Sequence, residues 1–180
     1  MKLQDLKKEI KYNIIQDFPN KGVKFIDFTP TFSSSVIMNE IAEYIGNYLY
    51  DNKFGDKIDY IIMPQSRGYI IGSFLSSNMN IDTIPVVKSG KLPDECILSK
   101  RMYNTEYSAD SLSLPKFDLQ GKKCFFVDDV FATGGTYECC KHMIESNGGI
   151  LIGGMCLYDV EITDEYRDEV KSILKPKDII

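Results

Sequence analysis

An α/β fold built on a mainly parallel sheet flanked by helices is what this sequence predicts, and three observations predict it. Short apolar runs without polar alternation recur at residues 58–63, 83–88, 124–127 and 149–158. Segments with helical spacing lie between them, at 68–79 and 136–147. Strands that are apolar on both faces and separated by helices belong in a parallel sheet covered on both sides. The chain has 180 residues, enough for one domain over 1–180 with a full core and too few for two ordinary ones.

The elements follow in order. Leu3, Leu6, Ile10 and Ile14 recur at helical spacing and predict an opening amphipathic helix. Residues 17–30 hold two prolines, Gly22 and aperiodic apolar residues, so they read as an ordered loop or extended arm. Val36, Ile37, Ile41, Ile45, Tyr48 and Leu49 form a second helical stripe. The alternating strands and helices begin after it, with the run at 124–127 the most emphatic strand. Residues 89–120 form a long polar stretch, and a long loop in a compact α/β domain is usually functional. From Glu161 onward, charges interleave with Tyr166, Val170 and Leu174, a spacing that predicts a short surface helix.

Composition removes several function classes. Hydrophobic residues make up 43% and charged residues 26%, which rules out a disordered or fibrous chain as the starting assumption. A net charge of −5 argues against a nucleic-acid binder, which works through a basic face. Cys96, Cys124, Cys139, Cys140 and Cys156 are odd in number and show no C-x-x-C spacing, so they read as reduced thiols of a cytoplasmic protein. His142 has no second histidine to share a metal and reads as a helix surface residue. No segment has the continuous apolar length of a membrane span or signal peptide.

The chemistry concentrates in CFFVDDVFATGGT, residues 124–136. An apolar strand runs into Asp128 and Asp129, then a small turn, then a helix. Ligands of open α/β sheets sit at the carboxyl ends of strands, where these carboxylates fall. The turn Ala132, Thr133, Gly134, Gly135 and Thr136 lacks bulk, so its N–H groups and hydroxyls can wrap a phosphate. The helix behind it turns its positive end to the same anion. Two carboxylates beside a phosphate suit a sugar diol. A capped left-handed turn would explain one glycine, though not two adjacent aspartates. A P-loop would need G-K-[ST] and a dinucleotide turn G-x-G-x-x-G, and neither is present.

The segment resembles the phosphoribosyl pyrophosphate motif of type I phosphoribosyltransferases, and the likeness extends, from about residue 18 to 154, to the adenine phosphoribosyltransferases. Asp17-Phe-Pro19 and Gly22-Val23 through Phe25 and Asp27 to Pro30 look like that family's base-covering segment, and Ser66-Arg67-Gly68-Tyr69 like its pyrophosphate loop. Lys88-Ser-Gly90-Lys91-Leu92-Pro93 and Tyr103 through Tyr107 look like the two ends of its mobile catalytic loop, here about 89–120. The resemblance implies a type I phosphoribosyltransferase fold with a small N-terminal hood over about residues 1–35. It also implies a homodimer and Mg²⁺ carried mainly by the donor, with no metal held by protein side chains.

Its substrates would be phosphoribosyl pyrophosphate and a purine base, adenine first. Ser66, Arg67, Lys88 and Lys91 would hold the pyrophosphate, while Val23, Phe25 and Val130 would hold the base. Glu106 would manage a base proton, alongside Asp128 and Asp129 at the ribose. The blander readings remain beside these: Lys88 and Lys91 as solvated charges, Phe25 as a core aromatic, Glu106 as a loop carboxylate. Four positions depart from the family pattern. Gln65 stands for an acid, Val87 and Ile26 for arginines, and Ser108 for a glycine, while Lys100 and Arg101 offer replacement cations. Transfer to another purine-like base, and a non-catalytic nucleotide sensor, are the alternative readings.

Overall fold

The structure, a computed structural model, describes residues 2–52, 54, 58–104 and 109–179. Among these residues a seven-stranded sheet runs in the order β5 (Ile97–Asn104), β6 (Ala109–Pro115), β4 (Asp82–Lys88), β3 (Tyr60–Pro64), β7 (Lys123–Phe131), β8 (Ile150–Asp159), β9 (Val170–Leu174), beside a two-stranded ribbon of β1 (Asn13–Gln16) and β2 (Lys24–Asp27). Helix α1 (Leu3–Glu9) buries Leu6 but does not reach Ile14 as the spacing suggests. Thr31 stops it: its hydroxyl accepts the Lys11 N–H (2.8 Å) and donates to the Lys11 carbonyl (2.7 Å), drawing the backbone out of the helix. Ile14 then sits in β1 (Asn13–Gln16), opposite Ile26 of β2 (Lys24–Asp27). The arm read from residues 17–30 is thus half of an antiparallel ribbon, closed where the Asp17 carboxylate accepts the Gly22 N–H. After the short α2 (Thr29–Phe32), helix α3 (Ser35–Asp51) buries Ile37, Ile41, Ile45 and Leu49 of the stripe the sequence displays, with Tyr48 half-buried and Val36, in the first turn, left exposed.

Parallel strands β3 (Tyr60–Pro64), β4 (Asp82–Lys88), β7 (Lys123–Phe131) and β8 (Ile150–Asp159) form the sheet's centre. Helix α4 (Arg67–Met79) joins β3 to β4, and α5 (Gly135–Glu145) joins β7 to β8. Alternate residues feed two cores. Ile61, Phe125, Val127 and Leu157 pack with α3 and α4 residues, while Ile62, Cys124, Phe126 and Cys156 pack with Tyr137 and Met143 of α5. Burial on both faces is why these strands lack polar alternation.

Two expectations need correction. The stretch 89–120 is largely a β-ribbon, β5 (Ile97–Asn104) against β6 (Ala109–Pro115), which extends the sheet antiparallel to β4. Its polar look comes from a ribbon with one wet face; Leu112 and Leu114 point inward. The tail is not a surface helix. Strand β9 (Val170–Leu174) pairs parallel to β8 and buries Val170, Ile173 and Leu174. Spacing of four residues satisfies a strand face as well as a helix face, and the open edge of β8 selected the strand.

Candidate functional site

Chain order reverses at β3. From it the chain passes through α4 to β4 on one side, and later returns as β7 on the other. Such a switch point leaves a crevice at the carboxyl ends of the strands. Here the crevice is a cleft of about 640 Å³. Strand β7 does not end at Val127 as its apolar run suggests. Its pairing with β3 stops at Phe126 while its pairing with β8 continues to Phe131, so residues 128–131 form one open wall of the cleft.

Asp128 and Asp129 stand on that wall. Burial raises the Asp128 carboxyl well above its ordinary range, and the neighbouring Asp129 charge raises it further. Asp129 is also raised by burial, against the pull of the Arg67 guanidinium. Arg67 Nε lies 2.8 Å from Asp129 Oδ2, yet that oxygen has no aligned hydrogen bond, so charge holds the contact. The same guanidinium lies over the Phe25 ring, 5.5 Å from its centroid. Gly68 is required by close approach. A Cβ there would lie 2.8 Å from the Pro64 ring, 3.1 Å from the Val127 carbonyl and 3.2 Å from Asp128 Oδ1.

After Phe131 the chain turns at Gly134, whose φ of +80° is left-handed, and enters α5 at Gly135. The Gly135 N–H reaches the Thr133 hydroxyl at 3.3 Å. Residues 132–136 all line the cleft, at the N-terminal end of α5, where the backbone N–H groups of a helix point outward. Tyr166, from the connection between β8 and β9, backs this turn: its ring would lie 3.4 Å from a Cβ on Gly134. Opposite, Lys88 Nζ lies 2.7 Å from Asp110 Oδ2. Gln65 fastens this corner, its Oε1 accepting the Lys88 N–H at 2.8 Å.

Of the residues selected from sequence, the cleft gathers Val23, Phe25, Ser66, Arg67, Lys88, Asp128, Asp129, Val130 and the whole turn 132–136. Lys91 is not among its lining residues and is exposed. Glu106, with Tyr107 and Ser108, lies outside the described residues. Lys100 and Arg101 are not among its lining residues and pair with Asp94 and Glu138. Ile26 has an apolar reason, being buried in the first core opposite Ile14.

Sequence reasoning missed Tyr103, Asp110, Tyr158, Val160, Pro176 and Ile179 as lining residues. Tyr158 and Val160 had a signal, since they end an apolar strand on the same edge as Asp128. Burial pushes the Tyr103 hydroxyl up to about 12, against a hydrogen bond with the Thr136 side chain, so it stays protonated at neutral pH. For a cation the cleft offers the acidic pair 128–129. Among the described residues no group of three or more His, Cys, Asp and Glu side chains is placed to hold a metal ion.

Comparison with known proteins agrees with this geometry. Residues 33–179 match the profile of the phosphoribosyl transferase domain. The chain is 36% identical over 165 residues to an adenine phosphoribosyltransferase of Thermoanaerobacter pseudethanolicus, covering 91% of each. The crystal structure of adenine phosphoribosyltransferase from that organism superposes with a TM-score of 0.82 at 33% identity, over 97% of this chain and 99% of the other. The Saccharomyces cerevisiae adenine phosphoribosyltransferase, complexed with adenine and an imino-altritol bisphosphate, superposes at 0.84 with 27% identity, over 95% and 99%.

Proposed function

The chain belongs to the phosphoribosyl transferase family, and on that footing we propose that it makes AMP and pyrophosphate from adenine and phosphoribosyl pyrophosphate, a purine salvage reaction. One observation carries the reading: a small glycine turn at a helix start, an acidic pair, and an aromatic and an aliphatic side chain (Phe25 and Val130) line one cleft. The turn 132–136 and the start of α5 take the 5′-phosphate. Asp128 and Asp129 accept from the ribose hydroxyls and so fix the reacting carbon. Phe25 and Val130 sandwich the base, with backbone groups near Val23 at its edge.

Ser66, Arg67, Lys88 and Lys91 receive the leaving pyrophosphate, Lys91 moving inward to do so. The ring nitrogen of adenine bonds to the anomeric carbon as the bond to the pyrophosphate oxygen breaks, and Glu106 handles the proton the nitrogen loses. Mg²⁺ carried mainly by the donor would supply charge neutralisation for the leaving diphosphate, with Ser66, Arg67, Lys88 and Lys91 holding that group. The whole chain, 1–180, acts as one unit with its 1–35 segment as a hood, paired as a homodimer in the cytoplasm. Its free thiols, four of the five buried, suit a reducing compartment.

The test is direct. Protein, Mg²⁺ and donor are incubated with adenine, hypoxanthine or guanine, and nucleotide and pyrophosphate are measured. AMP with adenine as the preferred base is the expected result. Preference for another base moves the reading to that base, and donor binding without any nucleotide makes the protein a sensor. Glu106→Gln is expected to lower kcat by about 10²–10⁴-fold, the range for acid–base groups, while donor affinity hardly moves.

A further inference from the structure

Both cations nearest the proposed diphosphate position are already paired with acids: Arg67 with Asp129 at 2.8 Å, and Lys88 with Asp110 at 2.7 Å. Asp129 has a task at the ribose, whereas Asp110 has none. It stands on β6 opposite Tyr103 of β5, with its other oxygen taking the Ser111 N–H at 2.8 Å. Its carboxylate therefore has a fixed seat, independent of the lysine. The Lys88 backbone is fixed too, since its N–H donates to Gln65 and the Gln65 N–H donates to the Val86 carbonyl, both at 2.8 Å. Only the Lys88 ammonium is free to change partners without moving the strand. The Lys88 side chain is 50% exposed and that of Asp110 27% exposed. Ion pairs this wet are weak, so a multiply charged anion can take the lysine over.

We propose that Asp110 is a positioning residue that acts on pyrophosphate through Lys88, as the resident counter-anion that the diphosphate of donor or product must displace. The inference rests on the placement of Lys88 beside the diphosphate under the proposed function. Once displaced, Asp110 keeps its seat beside the site. It then opposes the diphosphate by like charge and recaptures Lys88 as pyrophosphate leaves. Asp110 thus weakens diphosphate binding, which lets a site lined with cations release a highly charged product.

Calorimetry on the full chain, with magnesium pyrophosphate as the probe, tests this. Asp110→Asn and Asp110→Ser are both expected to tighten pyrophosphate binding roughly 2- to 5-fold, since an exposed pair is worth up to about a factor of five. In a Lys88→Met background the same substitutions are expected to give a clearly smaller gain, because no lysine is left to recapture. Unchanged or weaker binding in the single variants overturns the inference, and so does an equal gain in both backgrounds. AMP carries no diphosphate and reports the phosphate turn and base slot alone. Failure of the wild-type protein to bind AMP would count against the proposed function instead, so the two readings fail separately.

Discussion

Asp128 carries the sharpest conflict between folding and function. Its carboxyl is raised by burial and by Asp129. A carboxyl whose pKa is higher in the folded than in the unfolded chain stabilises below its unfolded value, and that stability is lost as pH rises through the folded value. Asp128→Asn removes this loss. The variant is expected to gain melting temperature relative to the wild type as pH is raised from 4 to 8, while its donor affinity falls. Thermal scans across that range check the sign, and a gap that narrows with pH would contradict it. Gly68 lies on the same wall. Gly68→Ala places a methyl 2.8 Å from the rigid Pro64 ring and against Asp128. Overpacking of this kind costs about 1–3 kcal/mol, or roughly 2–4 °C of melting temperature per kcal/mol at this size. A raised KM for the donor is expected with it, because the acidic pair must shift.

The strand–turn–helix unit from β7 to α5 was legible before the structure, because each part carries a local signature: an apolar run, small turn residues, a helical stripe. Gly134 shows how tight that unit is. Its left-handed φ disfavours any side chain, and Gly134→Ala is expected to cost about 1–2 kcal/mol. A donor KM raised at least tenfold should accompany it, since the turn cannot then keep its N–H groups on the phosphate. Normal donor kinetics in this variant would remove the turn from the phosphate site. Elements whose identity depends on a neighbour were not legible. Strand β9 exists because β8 offered an open edge, and the β5–β6 ribbon because β4 did. Both carry spacings that fit more than one element when read alone.

At the scale of the molecule, the fold brings Phe25, Arg67, Lys88, Asp110 and Asp129 from five separate segments to one cleft. The C-terminal turn closes the cleft with Pro176 and Ile179 and is tied to the opposite end of the chain, Lys7 Nζ reaching Asp178 Oδ2 at 2.7 Å. A homodimer is expected in solution. Sedimentation equilibrium at micromolar concentrations checks this, and a fully active monomer would contradict it.

By itself the sequence determined what is local: the fold class, through strands apolar on both faces; the acidic pair and small turn, through residues 128–136; and about half of the cleft's lining. Motifs of this kind are set by neighbours in the chain, so they can be read along it. The tertiary structure alone decided how the charges pair. Lys88 is bound to Asp110, Arg67 to Asp129, Lys100 to Asp94 and Arg101 to Glu138. It also decided that the tail is a strand. An ion pair depends on two side chains reaching within a few ångströms of each other, and an edge strand on a neighbour with unpaired N–H and carbonyl groups. Both conditions are met by residues far apart in the chain, and no spacing along the sequence records them.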